Sequence, residues 1–89
     1  MSLEKLIVII PTYNESENIE KLIRDLKEFD FHILIIDDNS PDNTSKIVTN
    51  LKKEFSNLHL INRESKLGLG SAYRQGFKTA IDMGYKRLV

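Results

Sequence analysis

The stretch IIDDNSPDNTSKI, residues 35–47, leads from an apolar run into two adjacent carboxylates, Asp37 and Asp38. The apolar residues 31–36 predict a strand that is buried on both faces, as in a parallel sheet. Ser40 followed by Pro41 predicts a helix start, with serine as the N-cap and proline in the first turn. The two carboxylates therefore lie at a junction between a buried strand and a helix.

The same kind of strand recurs on both sides of this junction. Residues 6–10, which end at Pro11, and residues 58–61 are apolar runs that predict a first and a third strand. Residues 87–89 resemble the start of a fourth strand. All of these strands are short and apolar, which favours a parallel sheet over an antiparallel one.

Helices are predicted between the strands. Asn14 stands three residues before Glu17, which is the spacing of a capping box. Ser71 opens a third helix, and Gly84 ends it in the left-handed conformation. The resulting βαβαβαβ order predicts a Rossmann-like, three-layer α/β fold. Apolar residues at helical spacing predict the core-facing sides of the three helices: Ile19, Leu22, Ile23, Leu26 and Phe29; Ile47, Val48, Leu51 and Phe55; Ala72, Phe77, Ala80 and Ile81.

The composition excludes several classes of protein. The 89 residues carry 13 basic and 13 acidic side chains, and this balance argues against a nucleic-acid binder. The absence of cysteine excludes disulfides and thiolate metal sites. The apolar runs are far shorter than the roughly 18 residues that suggest a membrane span, and the first residues lack the pattern of a signal peptide.

The loops that follow the predicted strands are rich in polar and turn residues. They are residues 11–16, 37–44 and 62–70, and they should meet at the carboxyl edge of the sheet, where α/β proteins bind ligands. The helix N-termini at this edge favour an anion such as a diphosphate.

Four interpretations of this edge compete. A dinucleotide-binding dehydrogenase needs its glycine-rich turn after the first strand, but Gly68 and Gly70 come two strands later. A receiver domain needs its acidic pair after the first strand. The carboxylates could only cap the second helix. Alternatively, one carboxylate could accept N–H groups of a nucleotide base, while Tyr13 lies against the base and the other carboxylate serves the fold.

The segments VIIPTYNESENI, IIDDNSPDNT and KLGLGSAYRQGF resemble the amino-terminal half of family 2 glycosyltransferases with the GT-A fold. The nearest subgroup resembles the polyprenyl-phosphate mannose synthases of the dolichol-phosphate mannosyltransferase type. The likeness runs from Leu6 to Val89 and implies a parallel sheet of order 3-2-1-4. It implies an enzyme that transfers mannose from GDP-mannose to a lipid phosphate. Alternatives are a family 2 enzyme with a UDP-sugar and another acceptor, or a non-catalytic nucleotide-binding module.

The resemblance assigns roles to particular residues. Asp37 would be the structural member of the pair, whereas Asp38 and Ile36 would contact the base region. Arg63 is a further candidate for the diphosphate, although a loop arginine is more often simply solvated. Gly68 and Gly70 either approach the ligand or only let the loop turn tightly. The other residues expected to line the nucleotide site are Pro11, Tyr13 and Glu15, with Lys66 in the third loop.

The family also places an Asp-x-Asp motif after the fourth strand, where it holds Mg²⁺ or Mn²⁺ against the donor diphosphate. The sequence ends at Val89, before such a motif. We therefore expect residues 1–89 to be the donor-binding half, without a metal site or activity of its own. For the full-length enzyme we expect a cytoplasmic location, or one at the cytoplasmic face of a membrane. An exposed sheet edge could also pair two copies of the chain into a homo-oligomer.

Overall fold

The computed structural model describes residues 6–89, so the part of the signal-peptide interpretation that concerns residues 1–5 lies outside the described residues. The described chain alternates strands and helices, and all paired strands are parallel. The sheet order is β3-β2-β1-β4, which confirms the predicted α/β fold and strand order. The elements are β1 (Leu6–Thr12), α1 (Ile19–Lys27), β2 (His32–Asp37), α2 (Thr44–Leu51), β3 (Leu58–Asn62), α3 (Leu69–Asp82) and β4 (Arg87–Leu88).

The sheet separates two apolar cores, and alternate residues of β2 belong to each. Ile33 and Ile35 face α1 and α2, where they pack with Ile19, Ile23, Val48, Leu51 and Leu58. Leu34 and Ile36 face α3, where they pack with Ile7, Ile9, Ala72, Ala80 and Tyr85. Because every residue of β2 is buried, apolar and polar residues do not alternate along the middle of this strand.

The helices begin at other residues than the sequence predicts. The capping box at Asn14 is wrong, since α1 begins at Ile19 and Asn14 has a positive φ of 57°. Ser40 is not the cap of α2, which begins at Thr44. The third helix begins at Leu69, ahead of Ser71. The two serine hydroxyls instead accept hydrogen bonds from other loops, Ser40 from the Asn14 N–H and Ser71 from Arg63.

The predicted core face of α3 is confirmed at Ala72 and Ala80 and is wrong at Phe77 and Ile81. Phe77 and Ile81 are exposed, whereas Ala72, Gly76 and Ala80 are buried against the sheet. A Cβ built on Gly76 would lie within 3.0 Å of the side chains of Ile9 and Ile36, so this glycine permits a close approach of helix to sheet.

Two other details of the helices can be compared with the sequence. In α1 the prediction fails for Phe29, which lies beyond the helix and is exposed, and for Leu22, which is also exposed. Gly84 has the expected positive φ, 99°. Among residues 6–89, no helix is both long and apolar enough to cross a membrane.

Candidate functional site

A cleft of about 240 Å³ opens at the carboxyl edge of the sheet. It forms there because the parallel register sets Thr12 of β1 beside Asp37 of β2, and Asp37 beside Asn62 of β3, so that the three following loops meet. We refer to it below as the cleft. Its lining residues are Pro11, Thr12, Tyr13, Glu15, Asp38, Lys66, Gly68 and Leu69.

The loop after β1 is shaped by side chains of the loop after β2. Three successive backbone N–H groups of the first loop each donate to a side-chain oxygen of the second. This accounts for the polar residues that the sequence seemed to assign to helix caps. The bonds run from Asn14 N to Ser40 Oγ (2.9 Å), from Glu15 N to Thr44 Oγ1 (3.0 Å) and from Ser16 N to Asp42 Oδ2 (3.1 Å).

Asp42 is the carboxylate that serves the start of α2. It accepts a hydrogen bond from the Thr44 N–H (3.2 Å). The hydroxyl of Thr44, with further hydrogen bonds from Ser16, holds the pKa of Asp42 at about 2, so this group is ionised at neutral pH. The helix-capping role considered for Asp37 and Asp38 is thus filled by a different residue.

Asp37 ties the ends of two strands to the second loop. Its carboxylate is fully buried and accepts hydrogen bonds from Thr12 Oγ1 (2.7 Å), from Ser40 N (2.9 Å) and from Ser40 Oγ (2.7 Å). Ser40 also connects Asp37 to the first loop, because its hydroxyl accepts the N–H of Asn14. This geometry is what a structural member of the acidic pair requires. Asp37 does not line the cleft.

Asp38 lines the cleft and is held by Arg63. Arg63 Nε donates to Oδ1 (2.6 Å) and Nη2 donates to Oδ2 (3.0 Å), in a bidentate arrangement. The backbone N–H groups of Leu67 (3.1 Å) and Gly68 (3.2 Å) also donate to Oδ2. The hydrogen bond from Arg63 is the main cause that lowers the pKa of Asp38, so the carboxylate is ionised.

The expectation that Arg63 is a solvated loop residue is wrong. Its side chain is only 4% exposed. Beyond Asp38 it donates to Gly68 O (3.1 Å), to Ser71 Oγ (2.8 Å) and, more weakly, to Gln75 Oε1 (3.3 Å). The strand register explains this pair: Asp37 lies opposite Asn62 in the parallel sheet, so the next residues, Asp38 and Arg63, lie side by side.

Tyr13 and Lys66 close the cleft from opposite loops. The ammonium group of Lys66 lies 4.4 Å from the centroid of the Tyr13 ring, within the range of a cation–π contact. Glu15 is exposed at the rim. The cleft therefore combines an aromatic face, a cation and a buried carboxylate.

Three predicted site residues have different surroundings. Ile36 is buried in the core beneath α3 and does not line the cleft. Gly68 lies at its wall with a φ of 99°, which only glycine adopts readily. Gly70 is an exposed residue of the first turn of α3. Of the assigned residues, Pro11, Tyr13, Glu15, Asp38, Lys66 and Gly68 are brought together.

The described residues offer no metal site. Within residues 6–89, no three His, Cys, Asp or Glu side chains are grouped so that they could hold a metal ion.

Comparison with known proteins places the chain in a family. The family model for glycosyl transferase family 2 matches residues 7–82. The chain belongs to this family. The chain is 39% identical to the polyprenol monophosphomannose synthase of Mycolicibacterium smegmatis, over 97% of the chain and 34% of that protein. It is 40% identical to the dolichol-phosphate mannosyltransferase of Pyrococcus furiosus, over 85% of the chain and 22% of that protein.

The chain therefore spans about a third or less of these relatives. Among solved structures, it is similar to a mannosyltransferase from Pyrobaculum calidifontis in complex with GDP-Man and Mn²⁺. The TM-score is 0.76 at 23% identity, over 84% of the chain and 24% of the matched one. A likeness at this identity concerns the fold, which is that of the GT-A glycosyltransferases.

Proposed function

We propose that this chain forms the donor-nucleotide half of a glycosyltransferase that transfers mannose from GDP-mannose to a polyprenyl phosphate. The observation that carries the proposal is the convergence of Tyr13, Lys66 and Asp38 on one cleft at the carboxyl edge of the sheet. The related polyprenol monophosphomannose synthase and dolichol-phosphate mannosyltransferase support both the acceptor and the sugar.

Each of these side chains suits one part of a nucleotide. The Tyr13 ring offers a face on which a base can stack, at a gain of about 1–3 kcal/mol per base. Lys66 supplies positive charge for a diphosphate, and it would leave the Tyr13 ring when a base stacks there. Asp38 accepts a ring N–H of the base in a charge-assisted hydrogen bond. In the proposed role, this chain binds and orients the donor.

A UDP-sugar is the second candidate donor. The hydrogen bonds that Asp38 already accepts leave room for a base with a single ring N–H, such as uracil. Each carboxylate oxygen has two lone pairs. Oδ2 already accepts three donors, so two of them share a lone pair, whereas Oδ1 accepts only one. One position on Oδ1 remains. It is sufficient for the single ring N–H of uracil or for one N–H of guanine, but not for a bidentate pair with guanine.

Titration calorimetry with GDP, UDP and ADP, with and without Mn²⁺, tests the proposal on this chain. We expect GDP to bind more tightly than ADP, with Tyr13→Leu weakening GDP at least tenfold and Mn²⁺ changing little. Tyr73→Leu is the matched control, because Tyr73 is an equally exposed tyrosine on α3 that does not line the cleft. Tighter binding of UDP would favour the second donor, and equal binding to both tyrosine variants would reject the cleft as the site.

Binding alone does not separate an enzyme from a non-catalytic nucleotide-binding module. The separating measurement is transfer of radiolabelled mannose to a polyprenyl phosphate by the longest protein that contains this chain. Transfer that is lost with Tyr13→Leu, and retained with Tyr73→Leu, would support the transferase. Nucleotide binding without transfer would favour the module.

A further inference from the structure

The contacts of Arg63 join three parts of the site that are separate in sequence. Its guanidinium group bonds the Asp38 carboxylate after β2, the carbonyl of Gly68 in the third loop and the hydroxyl of Ser71 in α3. Both members of the pair are more than nine-tenths buried. Arg63 does not line the cleft, so it reaches the cleft only through these partners.

We propose that Arg63 is a positioning residue for base recognition: it fixes the plane of the Asp38 carboxylate and holds the third loop against it, leaving one acceptor position for a ring N–H of the base. The proposal rests on the proposed function, because it takes Asp38 as the acceptor for the base. It adds a specificity role to a residue that does not itself line the cleft.

The fork of the guanidinium group is what makes this role specific to arginine. Its two parallel N–H bonds define the plane of the carboxylate, whereas a lysine ammonium group is a single rotatable point of charge. A lysine at this position would keep the positive charge near Asp38 but could not bond both carboxylate oxygens, Gly68 and Ser71 together. The carboxylate would then rotate, and the N–H groups of Leu67 and Gly68 would lose a fixed acceptor.

The expected consequence is a change in selectivity and not only in affinity. Guanine and uracil carry a ring N–H next to a carbonyl group, and adenine does not. A well-oriented Asp38 therefore favours GDP or UDP over ADP, since specificity is a difference between two affinities. A purely structural role of Arg63 would weaken all three nucleotides in parallel and leave their ratio unchanged.

The experiment compares Arg63→Lys with Arg24→Lys in this chain. Arg24 is the matched control, because it makes a bidentate pair with Glu54 on the exposed surface of α1, remote from the cleft. Calorimetry gives the affinity of each variant for GDP, UDP and ADP. Amide hydrogen exchange, followed by NMR, reports the N–H groups of Leu67 and Gly68. If Arg63→Lys does not fold, Ser71→Ala is measured in its place. That variant removes one Arg63 contact and leaves the pair with Asp38.

We expect Arg63→Lys to reduce the ratio of the preferred nucleotide to ADP at least fivefold and to speed exchange at Leu67 and Gly68 at least tenfold. Ser71→Ala should reduce the nucleotide ratio and speed the amide exchange by about twofold each. Arg24→Lys should change neither the ratio nor the exchange. An unchanged ratio, or tighter GDP binding by Arg63→Lys, would overturn the positioning role.

The result for the unmodified chain separates the two proposals. If it binds none of the three nucleotides, the proposed function and the base-acceptor role of Asp38 both fail. The exchange measurement then shows independently whether Arg63 holds the third loop. If the chain binds a nucleotide and Arg63→Lys keeps the same ratio, only the positioning role fails.

Discussion

Among residues 6–89, two bidentate arginine–carboxylate pairs have nearly the same hydrogen-bond lengths and very different surroundings. Arg63 bonds Asp38 at 2.6 and 3.0 Å, and Arg24 bonds Glu54 at 2.7 and 3.1 Å. The side chains of the first pair are 4% and 8% exposed, and those of the second are 43% and 53% exposed. The first pair borders the cleft, whereas the second connects α1 to the residues after α2.

Burial, and not hydrogen-bond length, decides what such a pair contributes to stability. In water, each exposed group regains solvation when its partner is removed, so the loss is small. In a buried pair, the remaining charge is left without water or a partner, so the loss is large. The buried pair also has directional neighbours, since Asp38 accepts two backbone N–H groups and Arg63 bonds the third loop and α3.

The largest effect is expected from Asp38→Asn, with Glu54→Gln as the matched change in the exposed pair. Asp38→Asn leaves the Arg63 charge buried and unpaired, so the free energy of unfolding should fall by about 3–5 kcal/mol. Glu54→Gln should shift the unfolding midpoint only slightly. Urea denaturation followed by circular dichroism measures both. Equal losses in the two variants would contradict the role given to burial.

Asp37→Asn tests whether the neighbouring carboxylate acts on the fold or on the ligand. Asp37 accepts hydrogen bonds from Thr12 and Ser40, and asparagine can accept only part of them, so we expect a loss of stability of about 1–3 kcal/mol. Nucleotide affinity, measured by calorimetry where the variant is still folded, should change less than in Asp38→Asn. The opposite order of affinities would reverse the assignment of the two aspartates.

Acid should remove the contribution of the buried pair. Arg63 holds the pKa of Asp38 below its usual value of 3.8 in the folded chain. Because the folded-state pKa is the lower one, the stabilisation is fully present above the unfolded-state pKa and is lost as the pH falls through the folded-state pKa. The difference in unfolding free energy between the unmodified chain and Asp38→Asn should therefore be constant near neutral pH and should shrink below pH 3.8. A difference that stays constant through this range would show that ionisation of Asp38 is not its source.

The fold could be predicted from the sequence because its strands are short apolar runs. Residues 33–36 have no polar side to place against water, and this property alone suggests a strand with helices on both faces. The helix starts could not be predicted in the same way. Ser40 and Asn14 are residue types typical of caps, but the Ser40 hydroxyl bonds Asp37 and accepts the backbone N–H of Asn14 from the first loop. Local patterns cannot rank a local partner against a distant one.

The candidate site was partly predictable for a related reason. Tyr13, Glu15 and Asp38 follow strand ends, so the topology brings them to one edge. Arg63 was misjudged because its burial depends on a partner in another strand, and average exposure carries no information about that partner. Ile36 was placed at the base, but its side chain is fully buried in the core that faces α3.

The smallest effect is expected in the exposed pair, and salt is the variable that isolates it. At about 1 M salt the screening length is about 3 Å, compared with about 10 Å at 0.1 M, so an exposed ion pair loses most of its attraction. The small difference in stability between Glu54→Gln and the unmodified chain should therefore disappear as the salt concentration rises from about 0.1 M to about 1 M. Arg24 would still pack over the ring of Phe55, 5.6 Å from its centroid, in both proteins. The difference caused by Asp38→Asn should remain at high salt, because ions do not enter the buried pair. Thermal unfolding at the two salt concentrations measures both differences, and a salt-sensitive Asp38→Asn effect would mean that the Arg63 pair is open to solvent.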